Sequence, residues 1–287
     1  MTTIRQFIAI LGISSAVLLV SPPSGGAAGA KPKPEDIVAA NLASIGTPEA
    51  RAAARSRQVD GTAQITARRG AAMAMTGTGM LLSEGRNIHL GMSFSSPDYP
   101  GDQIAYDSKT LTTAQIRPGL RSFLSDFLYQ CDTPVREGLL GGTLSVAWAL
   151  SEVPGRQPRL EYSGLKKING RQLHELKYKP KQSACGVAIS LYFEPETFRH
   201  VRSQYRLTKP PVAPTNFQNP TSQGDTVYTL TEDFGDFKTV DGLTLPHDYK
   251  LDMTIEGPTS TYLASWTLSV SRISHNQSID PKEFSVR

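Results

Sequence analysis

The chain has 287 residues, 39% of them hydrophobic and 20% charged, a globular composition that excludes a fibrous or low-complexity protein. Thirty basic and 26 acidic residues leave a formal charge of +4, with no Lys/Arg tract, so no nucleic-acid partner is expected. A chain this long can bury roughly 70–75% of its unfolded surface, so it needs no metal or disulfide scaffold to fold.

Residues 1–30 read as an export signal. Arg5 is their one charged side chain, Phe7 to Val20 is an apolar run of fourteen, and Ala28-Gly29-Ala30 offers small residues for cleavage near Ala30. A membrane span needs about 20 apolar residues, and no later segment supplies them. The expected product is residues 31–287, one exported domain, soluble outside the cytoplasm and without an N-terminal lipid anchor. Cys131 and Cys185 are the two cysteines. Parity and an oxidising compartment favour a disulfide over two buried free thiols.

Glu35 to Ile45 predicts a helix, with acids in its first turn and Gly46 as its stop. Thr47-Pro48 starts a second, running to about Arg57. From Val59 the hydrophobic period becomes two: Val59, Ala63 and Ile65; Met73, Met75 and Leu81; Ile88, Leu90, Met92 and Phe94; then shorter strands at 102–106 and 111–116. Leu120, Phe123, Leu124, Phe127 and Leu128 form one stripe of a helix over 118–130. Over residues 134–157 there is no clear period: Gly138, Gly141 and Gly142 break the run, and Leu144 to Leu150 reads as strand or helix. Strands then return: Val187, Ile189, Leu191 and Phe193; Val201, Tyr205 and Leu207, opposite a polar face with His200, Arg202 and Arg206; Leu243 to Ile255; and Tyr262 to Val270. Residues 209–225 read as a flexible, proline-rich loop. In all, about ten to twelve strands, each with one apolar face, predict a mainly β, antiparallel sheet covered by about three helices.

Chemistry is scarce. The five histidines show no metal-ligand spacing, and there is no C-x-x-C pair, nucleophile elbow or phosphate loop. Neither a metal nor a cofactor is expected. His247, on an apolar strand face, reads as a core histidine, and Glu232/Asp233 as an acidic pair of the kind common on exposed strand ends. Met73, Met75, Met80 and Met92 crowd the first strands; thioethers fill cores and also line surfaces that accept variable apolar ligands.

Several segments resemble a family. Val240-Asp241-Gly242-Leu243-Thr244-Leu245-Pro246, the ending Val270 to Asn276 with Ile279-Asp280-Pro281 and Glu283-Phe284, and Leu191 to Thr197 resemble the turns and closing strands of LolA-like outer-membrane lipoprotein-sorting proteins. The resemblance implies an incomplete, strongly curved antiparallel β-barrel with a helical lid over an apolar cavity. It also implies a carrier of acyl chains of lipoprotein or phospholipid across the periplasm towards the outer membrane. Its partners would be an inner-membrane release complex and an outer-membrane acceptor. On this reading Met75, Met92, Phe94, Leu191, Phe193, Tyr249, Leu251, Met253, Trp266 and Leu268 line the cavity, and Phe123, Leu124, Phe127 and Leu128 form the lid. The carrier is not an enzyme. Two other readings use the same sheet: a lipid- or stress-sensing regulator, which would retain a membrane-anchored partner, and a hydrolase, whose one foothold is His247.

Overall fold

The first and last strands of the molecule are neighbours, and that closes everything except one seam. A computed structural model describes residues 31–69, 71–183, 185–211 and 224–286. The expected export signal, residues 1–30, and residues 212–223 of the proline-rich loop lie outside the described residues. Twelve antiparallel strands form one sheet: β1 (Ser56–Arg69), β2 (Ala71–Glu84), β3 (Asn87–Phe94), β4 (Gly101–Tyr106), β5 (Leu111–Thr113), β6 (Arg159–Ile168), β7 (Arg171–Lys179), β8 (Ala188–Phe193), β9 (His200–Lys209), β10 (Thr226–Val240), β11 (Leu243–Glu256) and β12 (Thr261–His275). Their order is β5-β4-β3-β2-β1-β12-β11-β10-β9-β8-β7-β6. The strands β5 and β6 are the two free edges, and the sheet is a curved, open barrel.

Chain order forces the rest. β5 and β6 are consecutive strands at opposite edges, so the segment between them must cross the sheet. It crosses the apolar face, carrying α3 (Phe123–Gln130), the single turns α4 (Thr133–Arg136) and α5 (Val153–Arg156), and 3₁₀ turns at Gly142–Leu144 and Ala149–Glu152. Leu139, Leu140, Leu144, Trp148 and Leu150 are buried in one cluster with residues from both halves of the sheet. The aperiodic stretch 134–157 is therefore a core plug. Lacking a regular period, it hides its apolar side chains by following the concavity.

The disulfide forms: Cys131 and Cys185 are bonded, with Cα atoms 5.4 Å apart, tying the end of α3 to the approach to β8. At the N-terminus α1 (Pro34–Ile45) buries Ile37, Asn41 and Ile45, and α2 (Pro48–Ala53) is capped by Thr47 Oγ1, which accepts from Ala50 N at 3.2 Å. α2 stops short of the expected Arg57 because Arg57 is already in the β1 ladder, opposite Ser83 and His275. Trp148 Nε1 donates to Asn41 Oδ1 at 3.1 Å, and Asn41 Nδ2 donates to Phe198 O at 3.0 Å. That amide joins α1 to the plug and to the turn before β9.

Two expectations about polar residues are corrected. His200 is not on a solvated face: it is fully buried, its ring 4.5 Å from Trp148 and 4.9 Å from Phe234. The cause is a bulge. Tyr192 pairs with Arg202 but Phe193 pairs with His200, so the strand gains a residue there and its faces exchange. Val201 is sent outward to a small satellite cluster with Leu173 and Tyr192. Glu232 is not at an exposed strand end either. Its row of the ladder runs Ile65, Trp266, Leu251, Glu232, Ser203, Leu191, all buried, with Glu232 the one carboxylate among them.

Candidate functional site

Helix α3 begins later than its apolar stripe suggests. Pro118-Gly119 makes a turn, with Gly119 at φ +80° and Leu120 N donating to Arg117 O at 2.8 Å. Ser122 then caps the helix, accepting from Ser125 N at 2.9 Å. Asp102 on β4 lies beneath this cap, fully buried. It accepts from Ser125 Oγ at 2.6 Å, from Ser122 Oγ and from Tyr99 Oη. Tyr99 Oη in turn accepts from Trp266 Nε1 at 2.7 Å. Burial pushes the Asp102 carboxyl above its usual range while the three hydroxyl donors act against that shift. The chain Trp266–Tyr99–Asp102–Ser122/Ser125 thus pins the start of α3 to the sheet.

Beside this network is a cavity of about 500 Å³, within the range of ligand pockets. Its walls come from Ile65 and Met73 on the first hairpin, Tyr262 and Trp266 on β12, Ile116 and Leu120 before the helix, and Phe123 on it. Arg121, Ser122 and Asp126 supply the polar part of the rim. Leu120 is 53% and Phe123 37% exposed, so two large apolar side chains stand at the mouth. The Phe123 and Tyr262 rings lie 4.2 Å apart and Arg121 sits 3.8 Å above the Tyr129 ring.

The structure places the expected site residues in two groups. Trp266 is a wall of the cavity and Phe123 stands at its mouth, with Leu124, Phe127 and Leu128 buried on the inner face of α3. Met92, Phe94, Leu191, Phe193, Tyr249, Leu251, Met253 and Leu268 are buried in the packed core, and Met75 is half-buried against it. Much of that core faces the plug. A Cβ built on Gly141 would stand 2.6 Å from Leu81 Cδ1, and one on Gly142 2.7 Å from the Phe234 ring. Both glycines have positive φ, 77° and 49°, so the backbone approaches where no side chain fits. The plug fills the concavity here, and the cavity is left at the α3 end.

Sequence reasoning missed Tyr99, Asp102, Ile116, Leu120 and Arg121 at this site. Ile65, Met73 and Tyr262 stood on apolar faces that the alternation identified, but nothing marked which stretch of those faces the helix leaves uncovered. His247 is half-buried, with Nδ1 3.1 Å from Leu245 O. Among the described residues no group of three or more His, Cys, Asp or Glu is placed to hold a metal ion.

No family model and no curated protein matches this chain. Solved structures are similar to it over most of their length. An outer membrane lipoprotein-sorting protein domain from Vibrio parahaemolyticus is 12% identical, covers 88% of this chain and 97% of its own, and has a TM-score of 0.42. A LolA superfamily protein from Nitrosomonas europaea is 14% identical over 88% of this chain and 97% of its own, with a TM-score of 0.43. A DUF1329 family protein from Desulfovibrio piger is 10% identical over 88% and 96%, with a TM-score of 0.41.

Proposed function

We propose that the protein is an exported carrier that takes up an acyl chain of a phospholipid or lipoprotein in the cavity beside α3 and moves it across the periplasm towards the outer membrane. The observation that carries this reading is the cavity itself. It is apolar on most sides, opens past exposed Leu120 and Phe123, and is bounded by a helix held through one buried polar network. Each methylene transferred from water into such a site contributes about 0.8 kcal/mol, so eight of them contribute roughly 6 kcal/mol. A micromolar complex needs about 8 kcal/mol, and the rim polar groups can hold the headgroup end. The Cys131–Cys185 disulfide fits an oxidising compartment. Binding without turnover is the expected behaviour.

The test is lipid extraction and mass spectrometry on residues 31–287, exported and purified without detergent, followed by titration with a fluorescent fatty acid. Stoichiometric lipid, or uptake of the fatty acid that Leu120→Glu weakens at least tenfold, supports the reading. Lipid-free protein that takes up no fatty acid refutes it.

A further inference from the structure

The other end of β1 carries a second cavity, of about 280 Å³, between α2 and the plug. Its walls include Arg51, Arg57, Thr143, Ser145 and Ser151, and no Asp or Glu. We infer that it is a binding site for a phosphate-class oxyanion, held by the two guanidinium groups and the plug hydroxyls.

Arg57 is 4% exposed, and among the described residues it makes no ion pair with a carboxylate. Nε donates to His275 Nε2 at 3.0 Å and Nη1 donates to Thr143 O at 2.7 Å. An arginine nitrogen can only donate, so His275 Nε2 accepts. The imidazole proton is then on Nδ1, which donates to Asp241 Oδ2 at 2.9 Å. The nearest carboxylate in this chain of bonds is therefore one ring away, on an exposed turn. Burial brings the Arg57 guanidinium down to about 10, which still leaves it charged at neutral pH. A buried cation without a carboxylate is costly, and its planar fork is suited to two parallel bonds to an oxyanion.

A second observation is independent of that charge. Thr143 Oγ1 is buried and has no hydrogen-bond partner among the described residues, where buried hydroxyls are normally satisfied. Arg51, half-buried across the cavity, has Nε on Gly46 O at 3.2 Å, and its Nη groups are free of any ion pair among the described residues. Donors on three sides of the cavity suit a tetrahedral phosphate better than a planar carboxylate. The site is separate from the acyl cavity: Arg57 and Ile65 are eight residues apart on one strand, about 27 Å at 3.4 Å per residue.

The ligand class admits a free phosphate ester or a lipid headgroup, and calorimetry on the exported chain separates them. The titrants are inorganic phosphate, glycerol phosphate and a short-chain phosphatidic acid below its micellar concentration. We expect saturable one-to-one binding that Arg51→Gln and Thr143→Val each weaken at least tenfold. Because Arg57→Gln also removes core contacts, those two variants carry the test, with urea midpoints confirming that each is folded. Equal affinity for all three titrants assigns a free phosphate; tenfold tighter binding of the phosphatidic acid assigns a headgroup. Absence of saturable binding by all three, or binding unchanged in both folded variants, overturns the site. Fatty-acid uptake, read separately, reports on the other cavity.

Discussion

The backbone N–H of Gly141 donates to Glu232 Oε1 at 2.7 Å, so the plug is fastened to the middle of the sheet by a buried carboxylate. Tyr249 Oη donates to the same oxygen at 2.6 Å and Tyr205 Oη to the other at 2.5 Å. The next plug residue, Gly142, lies over His200. Two buried titratable groups thus sit beneath adjacent glycines.

Burial raises the Glu232 carboxyl to about 7, against the pull of its three donors. The raised value sets the sign. Between about 4.5, the unfolded value, and 7 the unfolded chain releases this proton and the folded chain keeps it, so stability falls as pH rises. At 1.36 kcal/mol per unit the loss is about 3 kcal/mol. Glu232→Gln should abolish that part of the slope, as read by urea unfolding at several pH values. Identical slopes in the two proteins would contradict the assignment.

His200 has the opposite sign. Burial lowers it to about 3, so below 6.5 the unfolded chain binds a proton that the folded chain refuses, and stability falls as pH drops. At pH 5 the loss is about 2 kcal/mol. Between 4.5 and 6.5 the two groups oppose each other and the parent should be nearly flat in this pair's contribution. His200→Phe, which keeps a ring between Trp148 and Phe234, should uncover the Glu232 slope. A variant that remains as flat as the parent counts against it.

The disulfide spans 54 positions, and loop entropy assigns it about 4 kcal/mol. The double variant Cys131→Ala/Cys185→Ala should lose that much in urea unfolding. Because Cys131 closes α3, with its N–H donating to Phe127 O at 2.9 Å, amide exchange should quicken first in that helix. Uniform exchange across the sheet and helix would show that the bond does not hold α3.

Neighbouring residues on α3 separate lid from core. Phe123→Glu, at the mouth, loses the Tyr262 ring contact and should cost no more than about 2 kcal/mol while lowering fatty-acid affinity at least tenfold. Leu124→Asp buries an unpaired charge and should cost more than about 4 kcal/mol. A Phe123→Glu protein that binds normally moves the entrance elsewhere.

The sheet was readable because one face of nearly every strand is wet: Tyr249, Leu251 and Met253 alternate with Asp248, Lys250 and Asp252. The same rule misplaced His200, since one extra residue reverses a face and no residue type announces a bulge. It was silent on the plug, whose turns carry no period and whose glycines matter for what they lack. Asp102 escaped notice and Glu232 was misplaced at an exposed strand end because a carboxylate satisfied by distant Tyr and Ser hydroxyls looks, in a sequence, like any surface acid. The site was legible only where it coincides with strand alternation, at Trp266, and with the helix stripe, at Phe123.

The two unpaired edges of the open sheet have a consequence for survival at high concentration. Ten-residue β6 carries Arg159, Glu161, Lys166 and Lys167 and is broken by a bulge between Tyr162 and Gly164. The opposite edge, β5, is three residues long, and Val286 N donates to its Thr112 Oγ1 at 2.8 Å. Neither presents the long, flat, uncharged row of backbone groups that templates strand addition and fibril growth. An open barrel with such edges therefore keeps its own copies from stacking into the gap.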